Sequence, residues 1–178
     1  RYIYDKFCDT ETPQDIIAIV NQKDFKPVTN IPFIALDAVS DPGNVGTILR
    51  TAEWFGFNQI ILGPGCADIY NPKTIRSSMG SLFRLKCIKT QDLAEFIITN
   101  FPDYTFYGTF LEGNYNITEL KNSKKTGIIF GNESAGISDN LIPLIHKKIK
   151  INGGVHTESL NVSVAAGIIL HEFFKINT

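Results

Sequence analysis

The chain has 178 residues, of which 43% are hydrophobic and 20% are charged, as is typical of one globular domain, or one domain and a fragment, with a sizeable core. A formal net charge of −1 argues against a protein that coats nucleic acid through bulk positive charge, although it allows a local basic patch. The longest apolar or small run near the C-terminus, residues 164–170, is far shorter than the roughly 18 residues that a membrane span requires. We therefore expect no membrane segment.

The cysteines and histidines suggest neither a disulfide framework nor a metal site. The cysteines are odd in number, widely spaced and without a CxxC pair: Cys8, Cys66 and Cys87. The histidines have no metal-ligand spacing: His146, His156 and His171. We expect reduced thiols, a cytoplasmic setting and no metal.

Short apolar runs alternate along the chain with segments of helical periodicity. The predicted strands are 32–37, 58–63, 83–88, 104–110, 126–131 and 147–152. The predicted helices are 44–56, 71–79, 91–99, 134–145 and 158–175. Nearly all-apolar strands that alternate with helices predict an α/β fold, with a parallel sheet covered by helices on both faces. Ligands of such sheets bind beyond the carboxyl ends of the strands, which directs attention to the loops after Asp37, Gly63, Thr109, Gly131 and Asn152.

The first 30 residues differ from this pattern. They contain one plausible strand, residues 16–20, followed by a polar linker. We expect them to be the end of a preceding domain, or an arm.

The loop after the first predicted strand belongs to the segment "DAVSDPGNVGTILRTAEWFGF", residues 37–57. Pro42 and Gly43 predict a turn, and Asn44 could cap the following helix. Arg50 then falls in the second turn of that helix. Taken alone, the segment favours an ordinary strand–turn–helix with a surface arginine.

A second loop follows an apolar strand in "IIFGNESAGIS", residues 128–138. Two glycines that enclose an amide and a carboxylate suit a loop that holds a polar ligand through its backbone. A simpler interpretation is the start of a helix capped by Asn132 or Ser134. The lysine of a phosphate-binding loop is missing.

A third feature is the start of the last predicted helix, in "HTESLNVSVAAGIILHEFF", residues 156–174. Ser159, Asn161 and Ser163 crowd the first turn and a half of an otherwise apolar helix. Capping by Thr157 or Ser159 would explain only one of these hydroxyl groups.

A fourth, weaker feature is "NPKTIRSSMGSLFRL", residues 71–85, in which Arg76, Ser77 and Ser78 precede Gly80. A guanidinium with neighbouring hydroxyls suits a phosphate, although Arg76 and Arg84 could equally be solvated surface residues.

Each feature is weak alone, but together and in this order they resemble the SpoU/TrmH family of the SPOUT superfamily of RNA ribose methyltransferases. The resemblance covers roughly residues 31–175 and rests on three motifs, "DPGNVGTILRTAEWFGF", "GIIFGNESAGIS" and "ESLNVSVAAGIILHEF", with "RSSMGSLFRL" between the first two. The stretch "TETPQDIIAIV" resembles the end of the small RNA-binding domain that precedes the catalytic domain in many members. The expected organisation is therefore a remnant of that domain plus a linker at 1–30, a catalytic domain at 31–178, and a longer parent protein.

The resemblance implies a sheet whose C-terminal segment forms a deep trefoil knot, which sequence rules alone would not predict because true knots are rare. It also implies homodimers whose sites are completed across the interface, and S-adenosylmethionine as the cofactor. By motif match the cofactor would contact Thr109, Gly131, Ile151 and Leu160. One departure is Asn152, where the family commonly has proline; it bears on cofactor affinity and not on the fold.

The implied reaction is methylation of a ribose 2′-hydroxyl in structured RNA, ribosomal or transfer RNA. By motif match Arg50 is the catalytic arginine. We favour phosphate orientation and stabilisation of the developing alkoxide over a role as general base, because a guanidinium is hard to deprotonate. The matching polar partners are Asn44, Glu133, Ser159 and Asn161, with Glu133 expected to fix either Arg50 or Asn44. Ser159 and Asn161 are expected to position the ribose or the loop that holds it, and the RNA-binding candidates are Arg76, Ser77 and Ser78.

Two alternatives stay open at this point. The chain could be a non-catalytic RNA-binding or ribosome-assembly factor on the same scaffold, as its near-neutral charge allows. It could also be an unrelated α/β nucleotide-binding enzyme. Cofactor binding would separate the first alternative from the enzyme, and the path of the chain would separate the second.

Overall fold

The computed structural model of the chain describes residues 19–119, 123–153 and 159–175. Several residues named above lie outside these ranges: Cys8, His156, Thr157 and residues 16–18 of the plausible strand at 16–20. Residues 19–30 form neither helix nor strand, and Val28 ties this segment to the sheet through paired hydrogen bonds with the buried side chain of Gln59, of 2.7 and 3.2 Å.

Seven strands of the described chain form one sheet in which every pairing is parallel. The strands are β1 (Phe33–Leu36), β2 (Gln59–Leu62), β3 (Lys86–Lys89), β4 (Thr105–Thr109), β5 (Tyr115–Asn116), β6 (Thr126–Phe130) and β7 (Lys147–Lys150). Their order across the sheet is β3-β2-β1-β6-β4-β7-β5. The predicted parallel α/β sheet is thus confirmed.

Four α-helices accompany the sheet within the described ranges. They are α1 (Pro42–Trp54), α2 (Pro72–Ser78), α3 (Leu93–Asn100) and α4 (Val162–Lys175). The first three begin at side-chain caps, because Asp41, Asn71 and Asp92 each accept a hydrogen bond from a free amide of the first turn. No helix in the described part of the chain is both long and apolar enough to cross a membrane.

The core has two parts, one on each face of the sheet, and β1 contributes alternate side chains to both. Ile34 and Leu36 pack with apolar side chains of α1 and α4 on one face. Phe33 and Ala35 pack with α3 and with residues 137–141 on the other face. All four β1 side chains are fully buried, as is typical of a central strand in a sheet covered on both sides.

The predicted helix at 134–145 is wrong. This segment forms turns, an isolated bridge between Asn132 and Gly136, and one 3₁₀ turn at Ile142–Leu144. The side-chain oxygen of Asn132 accepts from the amides of Ser134 and Ala135, and Gly136 has a positive φ of 72°. The bonds to Asn132 would also suit a helix cap, but the positive φ of Gly136 favours a closed loop, because that conformation does not continue a right-handed helix.

Other boundaries differ less. The predicted strand at 83–88 starts only at Lys86, because Ser81–Phe83 forms a 3₁₀ turn. The last helix begins at Val162 rather than at 158. The two-residue strand β5 was not predicted, since strands of this length have no readable periodicity.

Strand β7 lies between β4 and β5, although these two strands follow each other in the chain. The loop that joins them, residues 110–114, therefore has to cross β7. It does so in direct contact, because a Cβ atom added to Gly113 would lie only 2.5 Å from the carbonyl oxygen of Lys148. The last strand of the sheet is thus held beneath an earlier loop.

Replacement of Gly113 by alanine should destabilise the fold, because the new methyl group would meet β7 backbone that cannot rotate away. We expect the free energy of unfolding to fall by about 1–3 kcal/mol in urea denaturation. Gly153→Ala is the matched control, since a Cβ atom there has no heavy atom of the described residues within 4 Å. Equal stability of the two variants would show that the loop does not press on β7.

Candidate functional site

A cavity of about 780 Å³ opens where β4, β6 and β7 end and α4 begins. Its walls come from the loops after these three strands and from the first half of α4, including Thr109, Phe110, Leu111, Glu112, Gly131, Asn132, Glu133, Ser134, Ala135, Gly136, Ile149, Ile151, Gly153, Ser159, Leu160, Val162, Ala165 and Ile169. All four residues matched to the family's cofactor site lie in these walls. The size is that of an ordinary small-molecule site.

The walls of this cavity combine an apolar floor with an acidic rim. Ile149, Val162 and Ile169 are buried and form part of the floor. Glu112 and Glu133 add two exposed carboxylates at the edge. Such a cavity can hold a flat apolar ring against its floor and attract a positively charged group to its rim.

A row of hydrogen bonds joins three distant parts of the chain beside this cavity. Asn44 donates through Nδ2 to Oε1 of Glu133 at 2.8 Å, and Asn161 donates through Nδ2 to Oδ1 of Asn44 at 3.0 Å. The Oδ1 atom of Asn161 then accepts from the amide of Ser163 at 2.9 Å and from its hydroxyl at 2.6 Å. Because a carboxylate only accepts, the orientation of both amides follows from Glu133.

The polar start of α4 has two uses. Asn161 is the cap of the helix, since its side chain accepts from Ser163 and its carbonyl accepts from the amide of Ala165 at 2.9 Å. Ser159 precedes the helix and lines the cavity. The prediction that Ser159 caps the helix is therefore wrong, and the alternative Thr157 lies outside the described residues.

The cap of α1 is Asp41. The sequence had suggested Asn44, and that prediction is wrong. Oδ1 of Asp41 accepts from the backbone amide of Asn44 at 2.9 Å, and Oδ2 pairs with Lys73 at 2.8 Å. The hydrogen bonds from Lys73 and from the Asn44 amide lower the pKa of this carboxyl below its ordinary value of 3.8. The Asn44 side chain is left free for Glu133 and Asn161.

Arg50 is exposed and does not line the cavity. Within the described residues it makes no hydrogen bond or ion pair, so Glu133 fixes Asn44 and not Arg50. Six residues separate Asn44 from Arg50, which puts their side chains about 120° apart around α1. The structure thus brings together Asn44, Glu133 and Asn161, but it does not bring Arg50 to them.

The segment with Arg76, Ser77 and Ser78 packs against α1. The Ser77 hydroxyl contacts carbonyl groups of α2 at 2.8 and 3.2 Å, and a Cβ atom on Gly46 would lie only 1.9 Å from its oxygen. Ser78 is fully buried and donates to the carbonyl of Ile75 at 2.8 Å. Arg76 alone of the three is exposed to solvent.

Asn132 is a residue that the sequence analysis gave no functional role. Its Nδ2 donates to the carbonyl of Ala38 at 2.8 Å, while its Oδ1 accepts from the amides of Ser134 and Ala135 at 2.9 and 3.0 Å. The signal in the sequence is an asparagine followed by Glu133, two small residues and Gly136, a composition that suits an Asx turn as well as the predicted helix cap.

The two described cysteines are free thiols that are remote from the cavity walls. Burial raises the pKa of Cys66 to about 11 and that of Cys87 to about 12. Neither thiol is suited to act as a nucleophile near neutral pH. The described ranges also contain no group of three or more His, Cys, Asp or Glu side chains that could hold a metal ion.

The sequence profile of the SpoU rRNA methylase family matches residues 32–171. Over 92% of its length the chain is 35% identical to the 23S rRNA (guanosine(2553)-2′-O)-methyltransferase of Bacillus subtilis, and it spans 66% of that protein. It thus covers slightly less than two thirds of this relative's length.

Two solved structures are similar in fold. The SpoU methyltransferase AviRb of Streptomyces viridochromogenes, in complex with the cofactor AdoMet, superposes with a TM-score of 0.77 at 29% identity, covering 85% of this chain and 60% of that chain. The AdoMet-bound rRNA methyltransferase of Sinorhizobium meliloti superposes with a TM-score of 0.77 at 31% identity, covering 85% and 58%.

Removal of the α1 cap tests how the helix that carries Asn44 is held. Asp41→Ala should lower Tm at pH 7 by roughly 2–4 °C, because a free amide of the first turn loses its acceptor. Asp41→Ser keeps an acceptor and should lose less. Because the pKa of Asp41 is lowered on folding, the stabilisation by its ionised form is present above about pH 3.8 and is lost as the pH falls further. Melting curves at pH 7 and pH 2.5 measure this, and an equal Asp41→Ala deficit at both would contradict it.

Proposed function

We propose that this chain, which belongs to the SpoU rRNA methylase family, is the catalytic part of an RNA methyltransferase that uses S-adenosylmethionine to methylate a ribose 2′-hydroxyl. The observation that carries the proposal is the cavity at the ends of β4, β6 and β7, with the amide row Glu133–Asn44–Asn161 along its edge. Support also comes from the AdoMet complexes of two similar structures.

The cavity fits this cofactor on chemical grounds. S-adenosylmethionine supplies a sulfonium methyl group that a nucleophilic oxygen can take. Ile149, Leu160 and Ile169 provide an apolar surface for an adenine ring, and the backbone at Gly131 and Ile151 provides polar groups for its edge. The carboxylates of Glu112 and Glu133 favour a cation at the rim.

Residues of this chain would align the ribose and stabilise the negative charge that develops on its 2′-oxygen. In the transfer the ribose oxygen forms a bond to the methyl carbon, the carbon–sulfur bond breaks, and the hydroxyl proton leaves to solvent or to a neighbouring base. We assign Ser159, which lines the cavity, and Asn161, which donates to Asn44, to positioning the ribose. Asn44 in turn donates a hydrogen bond to the Glu133 carboxylate. Arg50 would hold the adjacent phosphate and stabilise the developing alkoxide.

We further propose a homodimer in which the Arg50 of one subunit serves the site of the other. Arg50 projects from α1 on a different side from Asn44 and is absent from its own cavity walls. The neighbouring surface of α1 and α4 is unusually apolar for exposed residues, with Trp54 at 82%, Val164 at 50% and Ile168 at 37% exposure. Sedimentation equilibrium would contradict this proposal if the chain stayed monomeric at micromolar concentration.

The deep trefoil knot belongs to the same proposal. It is supported by β7, which lies under the 110–114 loop, and by α4, whose start lines the cavity between that loop and residues 131–136.

The proposed substrate is structured RNA, ribosomal or transfer RNA. The 23S rRNA methyltransferase name belongs to the similar Bacillus protein, of which this chain spans 66%. Arg76 is an exposed cation of the 71–85 segment, in which Lys73 and Arg84 form ion pairs with Asp41 and Glu53, and it is the proposed phosphate contact there. We propose that Ser77 and Ser78 support it by packing α2 against α1.

Substitution of Arg50 separates chemistry from cofactor binding. Arg50→Ala should reduce transfer of the tritiated methyl group to unmodified rRNA and tRNA transcripts by about 100-fold or more, because a preorganised cation would be lost. Cofactor affinity should stay unchanged, since Arg50 lies outside the cavity. Arg84→Ala is the matched control, because Arg84 pairs with Glu53 away from the cavity. Transfer by Arg50→Ala at the rate of the control would refute the assigned role.

A further inference from the structure

We infer that Asn132 is a positioning residue for the proposed reaction: it ties the loop that carries Glu133 to the end of β1 and so fixes the whole amide row. The inference rests on the proposed function, but the hydrogen bonds that carry it are independent of any ligand. Glu133 determines the orientation of the Asn44 and Asn161 amides. The position of Glu133 is in turn determined by the contacts of the adjacent residue, Asn132.

Asn132 uses both ends of its amide and its backbone. The Nδ2 atom donates to the Ala38 carbonyl at 2.8 Å, 94 residues away, while Oδ1 accepts from Ser134 and Ala135. Its backbone N–H and C=O both pair with Gly136 at 2.9 Å. Glu133 therefore lies in a loop whose two ends are joined by the backbone bonds between Asn132 and Gly136. Two further bonds, from the loop amides to Oδ1 of Asn132, lie within the loop.

A second contact ties the same loop to the same strand end. The buried carboxylate of Asp37 accepts from the amide of Ser138 at 2.7 Å, and the amide of Asp37 donates to the carbonyl of Phe130 at 2.8 Å. Ala38 has a positive φ of 54°, a conformation that a residue with a Cβ atom adopts at some cost. Residues 130–138 are thus attached to the end of β1 by hydrogen bonds at both ends of the loop.

The end of β1 lies at a point where the direction of the chain across the sheet reverses. β1 and β6 are neighbours, but the chain continues from β1 to β2 on one side and from β6 to β7 on the other. Open α/β sheets usually bind ligands in the crevice at such a point. Here the bonds from Asn132 to Ala38 and from Ser138 to Asp37 span that crevice. Glu133, in the same loop, lines the cavity at the ends of β4, β6 and β7.

An aspartate at this position provides a sharp test. It would keep the acceptor for Ser134 and Ala135, but an ionised carboxylate cannot donate to the Ala38 carbonyl and would repel it. A protonated carboxyl group can donate again. Asn132→Asp should therefore recover at low pH, whereas Asn132→Ala should not. A residue that only filled space would give no such pH dependence.

The experiment uses the full 178-residue chain and two readouts. Calorimetric titration with S-adenosylhomocysteine at pH 8 should show about tenfold weaker binding for Asn132→Asp and Asn132→Ala than for the wild type. At pH 3.5, which is below the ordinary aspartate pKa of about 3.9, only Asn132→Asp should return to within about twofold of the wild type at the same pH. Amide hydrogen exchange at Ser134 and Ala135 should accelerate in Asn132→Ala. Asn140→Ala is the matched control, because this exposed side chain makes no hydrogen bond within the described ranges.

The two readouts separate the inference from the proposed function. If the wild type binds no cofactor, the proposed function fails, and exchange at Ser134 and Ala135 still decides whether Asn132 holds the loop. Exchange that stays as slow in Asn132→Ala as in Asn140→Ala would overturn the inference. Equal affinity of Asn132→Asp at pH 3.5 and pH 8, each relative to the wild type, would also overturn it, because the bond to Ala38 would then be without effect.

Discussion

One row of hydrogen bonds, from Glu133 through Asn44 to Asn161, joins segments that lie 89 and 117 residues apart in the chain. Its direction is fixed, because the carboxylate at one end can only accept and the free amides of α4 at the other end can only donate. Each asparagine has one orientation that satisfies both neighbours. A parallel sheet makes this meeting possible, since the carboxyl ends of β1, β6 and β7 all face the same edge.

The position of the cavity follows from the order of the strands and not from the general rule for open α/β sheets. That rule points to the crevice between β1 and β6, which is crossed here by hydrogen bonds from Asn132 and Ser138. The cavity opens instead over β4, β6 and β7, because β7 enters the sheet beneath the 110–114 loop. The start of α4 then becomes a wall of the cavity, which accounts for Ser159, whereas Asn161 and Ser163 form the cap of the helix.

The strands and most helices could be predicted because apolar periodicity and turn residues report local structure. The loop at 131–136 could not, since a helix cap and an Asx turn use the same residue types, and only Gly136 and the distant Ala38 carbonyl favour the turn. The contact of Glu133 with Asn44 was one of the two alternatives that the family resemblance offered. The bond from Asn161 to Asn44 was not predicted. Likewise, the burial of Ser78 depends on how α2 packs against α1, a contact with no local signature.

The most direct test of this account is a calorimetric titration of the chain with S-adenosylmethionine, compared between the wild type and Asn161→Ala. The account predicts binding of about one cofactor per chain, and weaker binding by the variant because the start of α4 loses both its cap and its link to Asn44. A folded wild-type protein that binds no cofactor would contradict it, and would favour a scaffold that recognises RNA without modifying it.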